Sequence, residues 1–533
     1  MNNRNIIVLG CLLIPALFTG SILAIAGNLS DGVRLGLLSL PGTWLLYVAM
    51  HKPQLIWKIV AILWWCVFWT DALLRSSSWF LFKSDTDAHF IIQAIANTTL
   101  QESMEFLQFH AWSLSLGALL LISLSFGYFL GVFNVLPKLF SKGSFKSKAT
   151  RYSSIFLAIL ALASYIIEPS RAQHPVFYWT DYFSKIQAFK DQIKTHKQVQ
   201  ETWQKNADNN LLSSQQAYTT QTHTLVITDS VTSQNLSVCG YERHTTPALE
   251  KYAASFQIFC NAYSPAASTI SSLKMTLTEA EKSTQEQYAS ESMLAYAKAA
   301  GFKVYWISNQ NDSYISSLFG SFVDEQVYVN HRSGRSSASL DENLLPVYQK
   351  VLKDPFPKKL IIVHFIGAHP NYQLRYPENF SKFTTETNDI VEQKLEQNDI
   401  GFWVQQQRNY YDNSIVYQDW LIDRFFKTFQ NNDIADFRSF IFVSDHGNEV
   451  GHEIDFAGHS PNTKAGYQVP LVVWYDGMKD TGVDVNKAIN TADLDDSMMS
   501  LMGLREKNKQ YLSPNFLSED YLFKPSENWP YWQ

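Results

Sequence analysis

The sequence predicts two unlike parts: an N-terminal α-helical bundle of about five membrane spans, then an α/β domain. Three observations carry this. Long apolar runs rich in Leu, Ile and Trp fill residues 1–170, while residues 171–533 hold most of the charge. The polar part alternates strand-like and helix-like stretches, the pattern of a sheet with helices on both faces. Several residues with useful chemistry directly follow apolar strand-like runs, where ligands gather in such sheets. The chain has 533 residues and a net charge of −6, which gives no sign of a nucleic-acid partner. No internal repeat or low-complexity segment is visible.

A membrane span needs about 20 mostly apolar residues. The runs Ile6 to Ala26, Val33 to Met50, Leu55 to Leu74 and Trp112 to Val135 fit, with a shorter fifth from Ser153 to Ile167. Ala24-Ile25-Ala26-Gly27 resembles a signal-peptide cleavage site. The spans that follow place the first run in the bundle instead. Basic residues in short loops mark the cytoplasmic side. Arg4, the loop with His51, Lys52 and Lys58, and the loop with Lys138, Lys142, Lys146, Lys148 and Arg151 all belong there. An odd number of spans then puts everything after about Glu168 outside the cytoplasm. Asp85 to Gln108 is the other external loop, with a partly helical apolar pattern. It lies along the membrane surface or packs as a short helix on the bundle. The domain limits read as 1–168 for the transmembrane part, 169–214 for a linker with a helix over 181–204, and 215–533 for the external domain.

Strands are predicted at His223–Thr228, Lys303–Ser308, Lys359–Ile366, Arg438–Val443 and Val469–Tyr475. Helices are predicted at Pro247–Phe256, Gln285–Ala300, Glu342–Leu352, Arg408–Phe429 and Thr491–Leu501. Cys239 and Cys260 lie in this polar part, and Cys11 and Cys66 in apolar runs. The first two pair if this part meets an oxidising compartment, or remain two unrelated thiols.

The strongest local feature is Asp445-His446-Gly447 at the end of the run Phe440-Ile441-Phe442-Val443. A carboxylate and an imidazole together suit zinc or manganese. Asp229 ends the run Leu225–Thr228 in the same way, although a turn or cap residue fits the Ser and Thr after it as well. The stretch from Ser264 to Ser272 is rich in hydroxyls. A hydroxyl at a helix N-terminus beside a metal can attack phosphorus, but spacing does not choose among Ser268, Thr269 and Ser271. His369 and His459 occupy strand-end loops, where imidazoles contact phosphate oxygens or protonate a leaving group. His364 lies within its strand and reads as a core residue, and His452 has no evident role.

These blocks, in this order behind the spans, resemble the phosphoethanolamine transferases of Gram-negative envelopes, in the alkaline phosphatase/sulfatase-like superfamily. The resemblance covers nearly the whole chain. It rests on Asp229 with Gly240-Tyr241-Glu242-Arg243-His244-Thr245-Thr246-Pro247, on Thr269, and on residues 359–377 ending Leu374-Arg375-Tyr376-Pro377. Tyr411-Asp412-Asn413-Ser414 and Ser444-Asp445-His446-Gly447 complete it. Ser308-Asn309-Gln310 and the 360–377 block look closest to the enzymes acting on lipopolysaccharide-core heptose.

The resemblance implies a sulfatase/alkaline phosphatase-like external domain. It implies zinc, with manganese an alternative, held by Asp229, Thr269, Asp445 and His446. It implies Thr269 as the nucleophile, His369 and His459 as catalytic and substrate-binding residues, and Asn413 as substrate-binding. The implied donor is phosphatidylethanolamine, a membrane lipid, and the implied acceptor is lipopolysaccharide core, lipid A or another envelope glycan. The implied location is the Gram-negative inner membrane with the catalytic domain in the periplasm. Departures exist. Asp229 stands where the family usually has Glu, the cysteines flanking the threonine are missing, and His459 is shifted by one residue. Asn448 replaces an acidic residue, leaving Glu449 as a substitute. A phosphoglycerol transferase of the same superfamily and an inactive envelope scaffold are the rival readings. A sulfatase would need a C/S-x-P-x-R sequence, and no such Arg follows Ser264 or Ser268.

Overall fold

The computed structural model describes residues 3–52, 54–82, 84–98, 100–109, 111–139, 148–213, 218–279, 292–310, 313–330, 339–386, 388–478, 483–507, 515–526 and 529. Lys142, Lys146 and the first half of the helix expected at 285–300 lie outside them. The chain divides into two compact units, Met1–Ala96 with Leu107–Phe189, and Asn97–Phe106 with Lys190–Gln533.

In the first unit, four helical stretches among the described residues are long and apolar enough to cross a membrane: Ile7–Ala26, Leu29–His51, Leu55–Phe80 and Leu114–Lys138. The expected fifth is a helix, Lys148–Ile166. Lys148 and Arg151 shorten its apolar part to Arg151–Ile166, below the length of the others, so a count of five is not confirmed. The second stretch is two helices, Leu29–Ser39 and Pro41–His51. Pro41 starts the new helix where its missing N–H costs nothing. Gly32 lets the first two helices touch, because a Cβ there would sit 2.5 Å from the Gly20 carbonyl oxygen.

Within the third span, Asp71 and Arg75 form a buried ion pair at 2.6 Å. Trp179 Nε1 donates to Asp71 at 2.8 Å and Arg75 donates to the Gln173 carbonyl at 3.0 Å. That pair fastens the start of the long helix Pro175–Asn210, which extends beyond the predicted 181–204. The external loop forms two helices, His89–Asn97 and Leu100–Phe109.

The second unit is built on an eight-stranded mixed sheet. Its strands are β1 (Gln221–Thr228), β2 (Gln257–Tyr263), β3 (Lys303–Ser308), β4 (Glu325–Tyr328), β5 (Lys358–His364), β6 (Phe437–Ser444), β7 (Gln468–Tyr475) and β8 (Ile489–Asn490). The order across the sheet is β8-β2-β7-β6-β1-β5-β3-β4. Every residue of β1 is buried, with β5 and β6 parallel on either side. Strands buried on both faces read as continuous apolar or β-branched runs, which is why β1, β5 and β6 were visible in sequence. β7 runs antiparallel to both β6 and β2. Two antiparallel steps bring β2 back to the direction of β6, so the segment after β2 emerges on the same side as the ends of β1, β5 and β6. Pro470 sits where the β7–β2 register shifts between Val469 and Leu471; a bulge accommodates a residue with no N–H to donate.

The 31-residue helix Phe402–Asn432 buries Val404, Tyr411, Ile415, Ile422, Phe425, Phe426 and Phe429, a spacing of three and four that places one stripe inward. The expected helices at 247–256, 342–352 and 491–501 are present as the shorter Pro247–Tyr252, Leu345–Leu352 and Leu494–Leu501.

Candidate active site

Four segments leave the same edge of the sheet and meet. β1 delivers Asp229, β6 delivers Asp445 and His446, and the helix Thr269–Thr276 follows β2. The loop after β5 brings Gly367-Ala368-His369 against Asp229, with the Ala368 N–H donating to the Asp229 carbonyl at 2.9 Å. Gly367 is required there. Its φ is +63°, and a Cβ would lie 2.5 Å from the Asp229 backbone nitrogen and oxygen.

The Thr269 hydroxyl lies 3.4 Å from Asp229 Oδ2 and 3.4 Å from His446 Nε2. It is therefore Thr269, of the three hydroxyls that spacing left open, whose oxygen faces both groups. Ser268 caps the helix without a side-chain hydrogen bond. The Ser264 and Ser272 hydroxyls both converge on the Asp445 carbonyl, which ties the helix carrying Thr269 to the β6 end.

His446 is oriented by its other nitrogen. Nδ1 donates to the Gly447 carbonyl at 2.8 Å, leaving the Nε2 lone pair toward Asp229 Oδ1 at 3.7 Å and Asp445 Oδ2 at 3.8 Å. Asp445 Oδ1 accepts the N–H of Ser230 at 3.1 Å and of His446 at 2.6 Å. Asp445 Oδ2 is buried with no hydrogen-bond partner among the described residues. Burial first, and then the Asp229 carboxylate beside it, push the Asp445 pKa up.

His459 joins the group: ligand atoms of Asp229, His446 and His459 all lie within 4.8 Å of one another. Its ring stands 4.5 Å from that of His446 and 5.5 Å from that of His369. Two carboxylates, one with a buried oxygen that has no hydrogen-bond partner among the described residues, face imidazole nitrogens. The donor set fits a divalent ion with a preference for nitrogen and oxygen.

Asn413 is not brought to this cluster. Its Oδ1 accepts the Lys382 and Phe383 N–H groups, each at 2.8 Å, and its Nδ2 donates to the Phe383 carbonyl at 2.8 Å. Its neighbours in that block are also positioning groups. The Tyr411 hydroxyl donates to the Ser230 carbonyl at 2.7 Å, and Asp412 pairs with buried Arg243 at 2.7 Å. Asn448 donates to the Tyr372 hydroxyl at 2.9 Å. Glu449 is buried and accepts the His452 and Glu453 N–H groups, so its carboxylate serves its own loop. His364 is buried against Trp306, as a core residue. His452 lies 2.7 Å from Asn235 Oδ1.

Three contributors had no evident role in the sequence. The Ser230 hydroxyl donates to Asp229 Oδ1 at 2.6 Å and lies 3.1 Å from His459 Nε2. Gln310, at the end of β3, donates to Asp229 Oδ2 at 3.1 Å. Arg375 donates to the carbonyls of His369 at 2.9 Å and Pro370 at 2.8 Å. It also stands 3.6 Å from Glu105, on a segment that belongs to this unit. The strand-end position of Gln310 and the charge of Arg375 inside an otherwise apolar block were the available signals.

The sulfatase family model matches residues 221–504. The phosphoethanolamine transferase EptC of Escherichia coli (strain K12) is 31% identical over 318 residues, covering 56% of this chain and 54% of that protein. The phosphoethanolamine transferase CptA of Salmonella typhimurium is 32% identical over 302 residues, covering 53% and 51%. The chain spans about half the length of the curated relatives it matches. The C-terminal periplasmic domain of EptC from Escherichia coli, in complex with Zn, superposes with a TM-score of 0.51 at 28% identity, over 60% of this chain and 96% of that one. The integral membrane lipooligosaccharide phosphoethanolamine transferase A of Neisseria meningitidis matches with a TM-score of 0.56 at 18% identity, over 94% and 95%. That second likeness is one of fold: membrane helices followed by the same α/β architecture.

Proposed function

The chain belongs to the sulfatase family, and from that premise we propose that it transfers phosphoethanolamine from phosphatidylethanolamine to an envelope glycolipid, lipopolysaccharide core or lipid A, through a covalent intermediate on Thr269. The observation that carries this reading is the Thr269 hydroxyl, 3.4 Å from both Asp229 and His446 at a helix N-terminus. The names of its relatives supply the transferred group.

Asp229, Asp445, His446 and Thr269, with His459 beside them, would hold zinc, and the same nitrogen and oxygen donors suit manganese. A bound divalent ion lowers the pKa of a coordinated hydroxyl and offsets charge on the phosphoryl oxygens. The chain's own groups do the rest. The His446 Nδ1–H bond to Gly447 fixes its tautomer. The Ser230 and His446 N–H groups hold one Asp445 oxygen, so the other stays turned inward. In the first step the Thr269 hydroxyl gives its proton to the imidazole of His459 or His369, its oxygen bonds to phosphorus, and the bond to the diacylglycerol oxygen breaks. That oxygen takes a proton from the imidazolium of His459 or His369. In the second step an acceptor hydroxyl, on a sugar or a phosphate, attacks phosphorus and gives its proton to the imidazole, the bond from phosphorus to the Thr269 oxygen breaks, and the imidazolium passes that proton to Thr269.

The Cys239–Cys260 disulfide supports an oxidising compartment for this unit, in keeping with a periplasmic domain anchored in a Gram-negative inner membrane. The test is mass spectrometry of envelope glycolipids from cells carrying the chain or its Thr269→Ala variant. The reading expects a phosphoethanolamine-sized increment that the variant lacks. A glycerophosphate-sized increment supports the phosphoglycerol transferase instead, and no change in either strain sinks the transfer reading.

A further inference from the structure

A third buried carboxylate, Asp341, holds the loop that carries His369. Asp341 is 3% exposed and begins the short 3-10 turn Asp341–Leu344. Its Oδ1 accepts the Ile366 N–H at 2.8 Å and the Asn309 side-chain amide at 2.9 Å. Its Oδ2 accepts the Gly367 N–H at 3.0 Å and the Gln418 side-chain amide at 3.2 Å. Two of these donors are backbone groups of the loop that carries His369. The other two come from the end of β3 and from the helix Phe402–Asn432. Gln418 continues the chain of bonds to the Thr228 hydroxyl at 3.0 Å, one residue before Asp229. A single carboxylate thus links the carboxyl ends of β1, β3 and β5.

The loop needs such a hold. Gly367 is pressed against Asp229 in a positive-φ conformation, and among the described residues the Ile366 and Gly367 N–H groups go to Asp341 rather than to a neighbouring strand. Two adjacent N–H groups and two side-chain amides match the acceptor sites of one ionised carboxylate. An amide or hydroxyl in its place would set a donor against a donor. Arg375 holds the far side of the same loop through the His369 and Pro370 carbonyls, so the backbone is held on both sides of the position that carries the imidazole.

We propose that Asp341 is a positioning residue for the transfer reaction: by holding the Ile366 and Gly367 N–H groups it sets His369 against Asp229 and His459. This rests on the role of His369 given above. The test uses the full chain in detergent, loaded with zinc and given phosphatidylethanolamine, with diacylglycerol release as the rate. Asp341→Asn is expected to lower kcat by about a hundredfold, the cost of an ångström-scale misplacement. KM and zinc stoichiometry should stay unchanged, and hydrogen exchange should rise at Ile366 and Gly367 but not along β6. The double variant Asp341→Asn with His369→Ala should be no slower than His369→Ala alone. Losses that multiply, or unchanged exchange at Ile366 and Gly367, would overturn the assignment. Should Asp341→Asn not fold, Asn309→Ala removes one partner of the carboxylate and leaves the carboxylate in place. It is expected to give a smaller loss with the same non-additivity. If wild-type protein releases no diacylglycerol, the transfer reading fails, and the exchange measurement still decides whether Asp341 holds the loop.

Discussion

The proposed nucleophile is Thr269, whose hydroxyl a carboxylate oxygen and an imidazole nitrogen reach at the same distance. Thr269→Ala should reduce turnover by at least about a thousandfold, as expected when a nucleophile is removed, while Thr269→Ser keeps a measurable part. Steady-state diacylglycerol release checks both, and a fully active Thr269→Ala would contradict the role. Ser230 makes a subtler prediction. Its hydroxyl bonds to Asp229 and lies beside His459, so Ser230→Ala should weaken zinc binding by about 10- to 100-fold, the usual effect of losing a group that orients a ligand. Competition with a chelator measures this, and unchanged affinity would count against the Asp229–His459 site. Asp229, Asp445 and His446 were legible in sequence because each closes an apolar run that became an inner strand. The choice of Thr269 was not legible from spacing, since three hydroxyls fall within one turn. Gln310 and Asp341 were hidden because their partners come from distant segments that only the folded sheet brings together, and Ser230 because its second neighbour, His459, does too.

Among the elements, the pairing of the helix Pro247–Tyr252 with the helix Phe402–Asn432 carries a pH signature. Asp419 accepts the Ala248 and Leu249 N–H groups at 2.7 and 2.9 Å. Burial, the largest cause, raises its pKa from the ordinary 3.8 up to about 7. A carboxyl raised in the folded state contributes stability below pH 4 that is lost as pH climbs through 7. Asp419→Asn removes the charge and loses one of the two acceptors, a pH-independent cost, so relative to that offset the variant should gain on wild type as pH rises from 4 through 7 in thermal melts. A gap that is constant with pH, or one that shifts toward wild type as pH rises, would refute this. The disulfide between Cys239 and Cys260 closes a loop of 21 residues, and losing it through a double Cys→Ser variant should cost about 3 kcal/mol. Denaturant melts with unchanged slope test that value. The inner strands were legible from composition. β2 was not, because its pattern is broken by half-exposed Ile258, Cys260 and Asn261. The helix over 402–432 begins before its predicted start, with Gly401 at its N-cap and Val404 and Gln407 buried in the added turns.

For the whole molecule, the lipid donor proposed above would account for an enzyme-like domain joined to apolar helices. The chain from Lys190 onward, expressed alone, should keep zinc yet turn over vesicle-embedded phosphatidylethanolamine more slowly than the full chain. Equal rates would leave the membrane helices as an anchor only. The two-part plan was legible because lipid and water select different compositions. The limit between the parts was not, since Asn97–Phe106 lies in the first half of the sequence yet packs within the second unit. The central claim is that Thr269 carries the transferred group. Incubating the zinc-loaded full chain with phosphatidylethanolamine, without acceptor, and mapping the peptide around Thr269 by mass spectrometry tests it most directly. A phosphoethanolamine-sized increment on Thr269, absent from Thr269→Ala, is the predicted result; an unmodified Thr269 in protein that nonetheless releases diacylglycerol would contradict it.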